Sequence, residues 1–150
     1  MADIHIEEFY KDTAIALVQL YGAFPRRVNL FVEDIAGPDD PDDFGLHSKR
    51  HMACFGTLLW LAEEGLLRYV DTIRQEALDQ AVLTQQAFVR LSAPVNSATK
   101  PTQDSEPDPH LPAAVRDDLA THIHLIRDAL KSRSSVRISS VMQAVFFRDH

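Results

Sequence analysis

The stretch between residues 47 and 66 constrains the fold more than any other part of this sequence. Its apolar side chains recur at steps of three and four residues, through Met52, Phe55, Leu59, Ala62 and Leu66. That spacing places them on one face of an α-helix. Gly65 suits the helix end, because glycine adopts left-handed backbone angles at low cost. The pattern predicts an amphipathic helix over about 47–64 that buries this face and then turns sharply.

The other face of this helix is expected to meet solvent, and it carries Lys49, Arg50, Ala53, Thr57, Glu63 and Glu64. Trp60 also lies away from the apolar stripe, and tryptophan is enriched at interfaces. Near the end of the chain, Phe146 and Phe147 are adjacent and cannot face one side of a helix. Trp60, Phe146 and Phe147 are therefore predicted partner contacts, unless another element of the chain covers them.

Two helices are predicted before this one. The first is capped by Asp3, carries apolar residues at helical spacing, and ends near Gly22. The second is capped by Asn29, covers residues 30–36 and is followed by a glycine and a proline, although a strand over residues 28–32 is the alternative.

After Gly65 the pattern shortens to LLRYVDTI and QAVLT, which predict two brief strands around a polar turn within residues 74–79. The segment LTQQAFVRL then predicts a short helix capped by Thr84. The predicted fold class is mainly α with a small antiparallel β-hairpin (α+β).

The last third of the chain is predicted to be a separate helical segment. Residues 94–112 contain five prolines and few apolar residues, which is typical of a linker. Over residues 113–150, one apolar face is formed by Val115, Leu119, Ile123, Ile126 and Leu130, and a further helix follows a cap at Ser139 or Ser140. Such a face must be buried, so this segment is expected to pack on the rest of the chain or to form a homodimer.

The predicted order of helices, hairpin and closing helix resembles the winged helix-turn-helix superfamily. The resemblance lies in TLLWLAEEGLLRYV (57–70), where a leucine-rich helix ends in an L-x-x-E-G-L pattern, and in AVLTQQAFVRL (81–91). It covers residues 5–93 and implies a winged-helix domain over 1–93, a Pro-rich linker and a C-terminal helical extension.

The resemblance also implies a function, that of a DNA-binding transcriptional regulator acting as a homodimer on double-stranded DNA. In DNA-binding members, the exposed face of the third helix enters the major groove and the hairpin contacts the backbone. Carried onto this sequence, the contacts near the groove are Ser48, Lys49, Arg50 and Ala53. The implied wing contacts are Arg68 and Arg74, and the implied phosphate contacts are Arg26 and Arg27.

The charge of the chain favours a second function. There are 15 Lys and Arg against 22 Asp and Glu, a net charge of −7, and the acidic excess lies within residues 1–95. Four aspartates, at positions 39, 40, 42 and 43, also precede the third helix. Phosphate is repelled by such a field. The alternative is therefore a winged-helix module that binds another protein and not DNA.

Catalysis and metal binding have little support in the sequence. Gly-rich phosphate loops and nucleophile turns are absent from it, so we expect no enzyme activity and no cofactor. His47 and His51 share a helix face, but Ser48 stands where a zinc protease motif has glutamate, so they are interpreted as surface histidines without a metal. The aspartate-rich loop fails the EF-hand pattern at Phe44 and His51.

The remaining expectations concern the compartment. Cys54 is the only cysteine, which excludes an internal disulfide and suits an inert core position in a reducing cytoplasm. The sequence lacks an apolar run of membrane-spanning length and a secretory leader pattern, so a cytoplasmic protein without a membrane partner is expected.

Overall fold

The computed structural model describes residues 3–95 and 121–147. Its elements in chain order are α1 (Ile4–Ala23), β1 (Val28–Phe31), α2 (Val32–Ala36), α3 (Lys49–Glu63), β2 (Leu67–Arg68), β3 (Asp71–Ile73), β4 (Ala77–Leu83), α4 (Gln85–Ser92), α5 (His122–Ser132) and α6 (Ser135–Val145). The chain is mostly helical with a small antiparallel sheet, which confirms the predicted α+β class. None of the described helices has the length and apolar character needed to cross a membrane.

Local sequence signals set the ends of α3 and α4. The Ser48 hydroxyl accepts a hydrogen bond from the backbone N–H of His51 and caps α3. Gly65 adopts a φ of +76° after the helix, as the sharp exit requires. Thr84 caps α4 by accepting from the N–H of Ala87. The predicted bounds of these two helices are confirmed to within about two residues.

The sheet is built around β4. β1 lies along one edge of β4, with Phe31 opposite Ala77 and Val28 opposite Ala81. β2 and β3 lie along the other edge, and all these pairs are antiparallel. Residues 28–36 therefore divide into a strand followed by a helix. The predicted cap at Asn29 is wrong, because pairing with β4 extends this residue and its side-chain oxygen accepts from the N–H of Gln80.

The core is organised around α1, which contacts α3 on one side and α5 and α6 on another. Leucines from α1, α3 and the sheet join residues of α5 and α6 in one hydrophobic cluster, whose fully buried members include Leu17, Leu58, Leu78, Ile126 and Met142. The C-terminal helices thus complete the same core as the N-terminal part of the chain.

This packing changes the interpretation of the C-terminal segment. The apolar face of α5 and α6 is buried within the chain, so this face packs on the rest of the chain and does not need a second copy to cover it. Homodimerisation stays a prediction. The predicted cap at Ser139 or Ser140 is wrong, since α6 begins after Ser134, whose hydroxyl accepts from the N–H of Arg137. Val115, Leu119 and most of the predicted linker lie outside the described residues.

Phe146 is the clearest correction among the predicted partner contacts. Its side chain has no exposed surface, because α6 folds back against α1 and places this ring in the core. Arg90 of α4 lies over the ring, with its guanidinium carbon 5.6 Å from the centroid. Phe146 is a core residue and does not meet a partner in this structure.

We expect Phe146→Ala to lower the free energy of unfolding by about 3–5 kcal/mol, as measured by urea denaturation, because it removes a buried aromatic ring. Val136→Ala is the matched control, since Val136 lies on α6, the helix that Phe146 directly follows, with 72% of its surface exposed. This change is expected to alter stability by less than about 0.5 kcal/mol. Equal stabilities of the two variants would show that α6 does not belong to the core.

Candidate functional site

The outer face of α3 is the first candidate site, because the predicted contacts near a DNA groove lie there. Its exposed residues are Lys49, Ala53, Gly56, Trp60 and Glu63. This face carries one cation and one anion, and its other members are small or aromatic. The apolar face of α3 also differs from the prediction. Thr57 is buried, whereas Met52 and Leu59 are only half-buried, because α1, α2 and β2 cover the helix from several directions.

Arg50 does not contribute a free positive charge to this face. Its guanidinium donates two hydrogen bonds to the carboxylate of Asp12 on α1, at 2.7 and 2.5 Å, and lies 3.8 Å from the carboxylate of Glu8. The hydrogen bond from Arg50 to Asp12 raises the pKa of the arginine further above its ordinary value. Asp12 is almost fully buried. Arg50 therefore neutralises a buried carboxylate and joins α3 to α1.

Ser48 is also engaged within the chain. Besides capping α3, its hydroxyl donates to an oxygen of Asp39 at 2.7 Å. Of the four residues predicted to lie near the DNA groove, only Lys49 and Ala53 are exposed.

The predicted wing and phosphate contacts are exposed but do not form one patch. Arg26 and Arg27 precede β1, and the guanidinium of Arg27 donates to the carbonyl of Gln80 on β4. Arg68 pairs with Val82, close to the same end of β4. Arg74 lies in the turn before Ala77, at the other end. At about 3.3 Å per residue, roughly 17 Å of strand separates Ala77 from Val82.

An apolar groove lies between α1 and α3. Its main lining residues are Ile6 and Phe9 of α1 with Ala53, Gly56 and Trp60 of α3, and its volume is about 330 Å³. Glu8 and Asp12 also line the groove, close to the Arg50 guanidinium. Ile6 and Trp60 are 43% and 40% exposed. The groove is open to solvent and large enough to hold an apolar side chain of a partner.

The wall of the groove is stiffened by an aromatic cluster. The rings of Phe9 and Trp60 meet edge to face, with centroids 5.4 Å apart, and Phe147 lies 5.6 Å from Phe9 and 6.3 Å from Trp60. Phe147 is half-buried behind this wall. Among the predicted partner contacts, Trp60 is exposed on the groove, Phe147 supports it, and Phe146 is in the core.

A second cluster lies where the loop of residues 37–48 meets α3. One oxygen of Asp39 lies 2.5 Å from Nδ1 of His47 and 3.7 Å from Nδ1 of His51. The two imidazole rings stack in parallel, with centroids 3.9 Å apart. Within residues 3–95 and 121–147, it is the one group of three His, Cys, Asp or Glu residues whose ligand atoms lie within 4.8 Å of one another.

This cluster corrects two interpretations of the sequence. His51 is 2% exposed and is not a surface histidine. The Asp39 side chain is 3% exposed, although the sequence places it in an acidic, solvated loop. The hydrogen bond from the Ser48 hydroxyl holds the pKa of Asp39 well below its usual range, and His47 contributes in the same direction. Asp39 is thus an ionised carboxylate held within the cluster.

The spacing of Asp12, and that of His47 and His51, is a signal that the sequence itself contains. Asp12 stands at helical spacing from Ala16 and Leu20, so a carboxylate on an apolar face signals a buried ion pair. The spacing of His47 and His51 placed them on one side of the chain, but Asp39 is far from both along a loop, and no local pattern brings it to them.

Cys54 occupies the buried side of α3 with no exposed surface. Burial raises the pKa of its thiol to about 12, and the Asp12 carboxylate adds to this effect. The thiol is therefore an unreactive core group, as a lone cysteine within an apolar helix suggests.

Compared with known protein families, with curated proteins and with solved structures, the chain matches none.

We expect Arg50→Met to lower the free energy of unfolding by about 3 kcal/mol in urea denaturation, because it leaves the buried Asp12 carboxylate without a counter-charge. Lys49→Met is the matched control, being an adjacent and exposed cation whose loss is expected to cost less than about 0.5 kcal/mol. If both variants are equally stable, the ion pair has no structural role.

We expect Cys54 to resist a thiol reagent at pH 8 in the native protein and to react readily once guanidinium unfolds the chain. A thiol pKa near 12 instead of 9.0 leaves about a thousand-fold fewer thiolates at this pH. The absorbance of the released chromophore measures the rate. Rapid labelling of the native protein would contradict the buried position.

Proposed function

We propose that this chain is a protein-interaction module with a winged-helix arrangement, and that the groove between α1 and α3 binds an amphipathic segment of another protein. The observation that carries the proposal is the character of the exposed α3 face. Where a DNA-binding protein would present several cations, this face presents Trp60 and two small residues beside an apolar groove.

The order of the elements supports the winged-helix part of the proposal. α1, α2 and α3 are followed, after the turn at Gly65, by antiparallel strands and the short helix α4. β1 lies between α1 and α2 along the chain and pairs with β4. It therefore extends the predicted hairpin into a four-stranded antiparallel sheet, with β1 on one edge of β4 and β2 and β3 on the other.

The groove has the features of a site for an apolar anchor. Tryptophan is over-represented among residues that dominate binding energies. Trp60 is held in place by Phe9 and Phe147, so binding costs little side-chain entropy. Gly56 and Ala53 leave room for a side chain to enter between the helices.

The surrounding charges select a segment with basic flanks. Glu8 and Asp12 line the groove and share one counter-charge, that of Arg50, which leaves an acidic excess there. Glu63 lies one helical turn beyond Trp60, and the chain carries a net charge of −7. Opposite charges at the rim of an apolar site increase association rate and specificity more than affinity. The proposed occupant is therefore an amphipathic segment with an apolar anchor and flanking Lys or Arg residues.

DNA binding by a cytoplasmic transcriptional regulator is the second proposal. It is favoured by two exposed cations, Lys49 at the start of α3 and Arg74 in the β3–β4 turn. The hydrogen bond between His51 and the carbonyl of Gln75 holds this turn beside the start of α3, so the two cations belong to neighbouring parts of the surface. Against it stand the pairing of Arg50 with Asp12 and the separation of the other arginines along the sheet.

Titration with designed peptides tests the first proposal. Trp60 is the only tryptophan in the chain, so its fluorescence reports directly on the groove. Short amphipathic helices with Leu and Phe anchors and basic flanks are expected to change its emission saturably. Matched peptides with acidic flanks are expected to bind at least tenfold more weakly.

Ala53→Arg is expected to reduce the affinity for the basic-flanked peptides at least tenfold, because it fills the groove from an exposed position. The control is Val70→Arg, which adds the same charge at a site that is 60% exposed and outside the groove. Unchanged binding by Ala53→Arg would contradict the proposal. The proposal is also contradicted if the peptides do not bind and the chain instead binds double-stranded DNA in a salt-sensitive way that Lys49→Ala abolishes.

A further inference from the structure

The cluster of Asp39, His47 and His51 is held by neighbours that are not part of it. One Asp39 oxygen accepts hydrogen bonds from the backbone N–H and the hydroxyl of Ser48, at 3.1 and 2.7 Å. The other oxygen is thereby directed at the two histidines. Supporting hydrogen bonds of this kind orient the ligands of metal sites in proteins.

His51 has an open nitrogen that points into the cluster. Its Nε2 lies 2.7 Å from the carbonyl oxygen of Gln75, which can only accept, so Nε2 carries a proton. Nδ1 is buried, has no hydrogen-bond partner and lies 3.7 Å from the Asp39 carboxylate. In the neutral ring, a buried lone pair thus faces a carboxylate. A cation between the two groups would satisfy both.

His47 is the third residue of the cluster. Its Nδ1 lies 2.5 Å from the same Asp39 oxygen, and it belongs to the loop that precedes α3. The side chain is 19% exposed, so the cluster meets solvent at His47. Loss of one proton from Nδ1 would convert this donor into a metal ligand.

We propose that Asp39, His47 and His51 together bind one divalent transition-metal ion of the zinc class. Two imidazole nitrogens and one carboxylate oxygen are a common ligand set for zinc, and they do not suit Ca²⁺ or Mg²⁺, which prefer oxygen ligands. Three protein ligands leave one tetrahedral position for water or for an outside ligand. The site does not depend on the proposed peptide groove.

Binding requires only a local adjustment. With metal–ligand bonds of about 2.0–2.1 Å, tetrahedral ligands lie roughly 3.3 Å apart, whereas the present separations from the Asp39 oxygen are 2.5 and 3.7 Å. The His47 ring must also leave its stacked position on His51 so that both imidazoles can bind one ion. His47 can make this movement because it lies before the cap of α3, while His51 is fixed by Gln75.

The ion would join three parts of the fold. Asp39 and His47 come from the loop of residues 37–48, His51 comes from the first turn of α3, and Gln75 connects His51 to the β3–β4 turn. Binding would therefore hold the loop against α3 and stabilise the folded chain over the unfolded one.

Metal titration of the full chain tests this proposal. After treatment with a chelator, the chain is expected to take up one equivalent of Zn²⁺, and Co²⁺ is expected to give the visible absorption of a tetrahedral site. Free Zn²⁺ at a hundredfold excess over the Kd should lower the unfolding equilibrium constant about a hundredfold. The melting temperature should then rise by roughly 5–10 °C.

Substitutions locate the ion. His47→Ala and Asp39→Asn are expected to weaken Zn²⁺ binding at least a hundredfold, and neither removes a buried apolar group, so both variants should fold. His5→Ala, which removes an exposed histidine of α1, is the control and should bind Zn²⁺ as the unaltered chain does. The proposal is overturned if the chain takes up no Zn²⁺ at one equivalent, or if His5→Ala and His47→Ala bind it equally.

Discussion

The structure depends on the burial of α1 from more than one direction. This helix packs against α3 and α2 on one side and against α5 and α6 on another, so apolar residues such as Leu17 and Leu20 are covered by segments far apart in the sequence. Removing apolar surface from water is the main favourable term in folding. Because α1 needs both sets of neighbours, the C-terminal helices are part of the core and their apolar faces are not free.

The same packing determines what the surface of α3 can do. Asp12 is drawn into the α1–α3 contact, and a buried carboxylate requires a counter-charge, which Arg50 supplies. The cation that a DNA-binding helix would present to phosphate is thus used inside the chain. Lys49 and the groove beside Trp60 remain outside, and the apolar lining of that groove is the basis for the proposed protein partner.

The histidine cluster depends on the long connection between α2 and α3. That loop is rich in aspartate, and its sequence suggests a solvated acidic surface. Hydrogen bonds from Ser48 turn Asp39 inward, however, while Asp42 accepts from the N–H groups of Phe44 and Leu46 and shapes the loop itself. A carboxylate with satisfied hydrogen bonds remains ionised even when little of it is exposed. The loop therefore brings one charge to two imidazoles.

The sequence by itself determined the elements whose signals are local. Periodicity, the caps at Ser48 and Thr84, and the turn at Gly65 predicted α3, α4 and the α+β class, since these depend on neighbours within a few residues. Only the tertiary structure decided which charges are free and which faces are covered. Arg50 meets Asp12 across 38 positions of the chain. Phe146, near the C-terminal end, is buried where α6 packs against α1, near the N-terminal end. Such contacts follow from three-dimensional packing, which no short sequence pattern encodes.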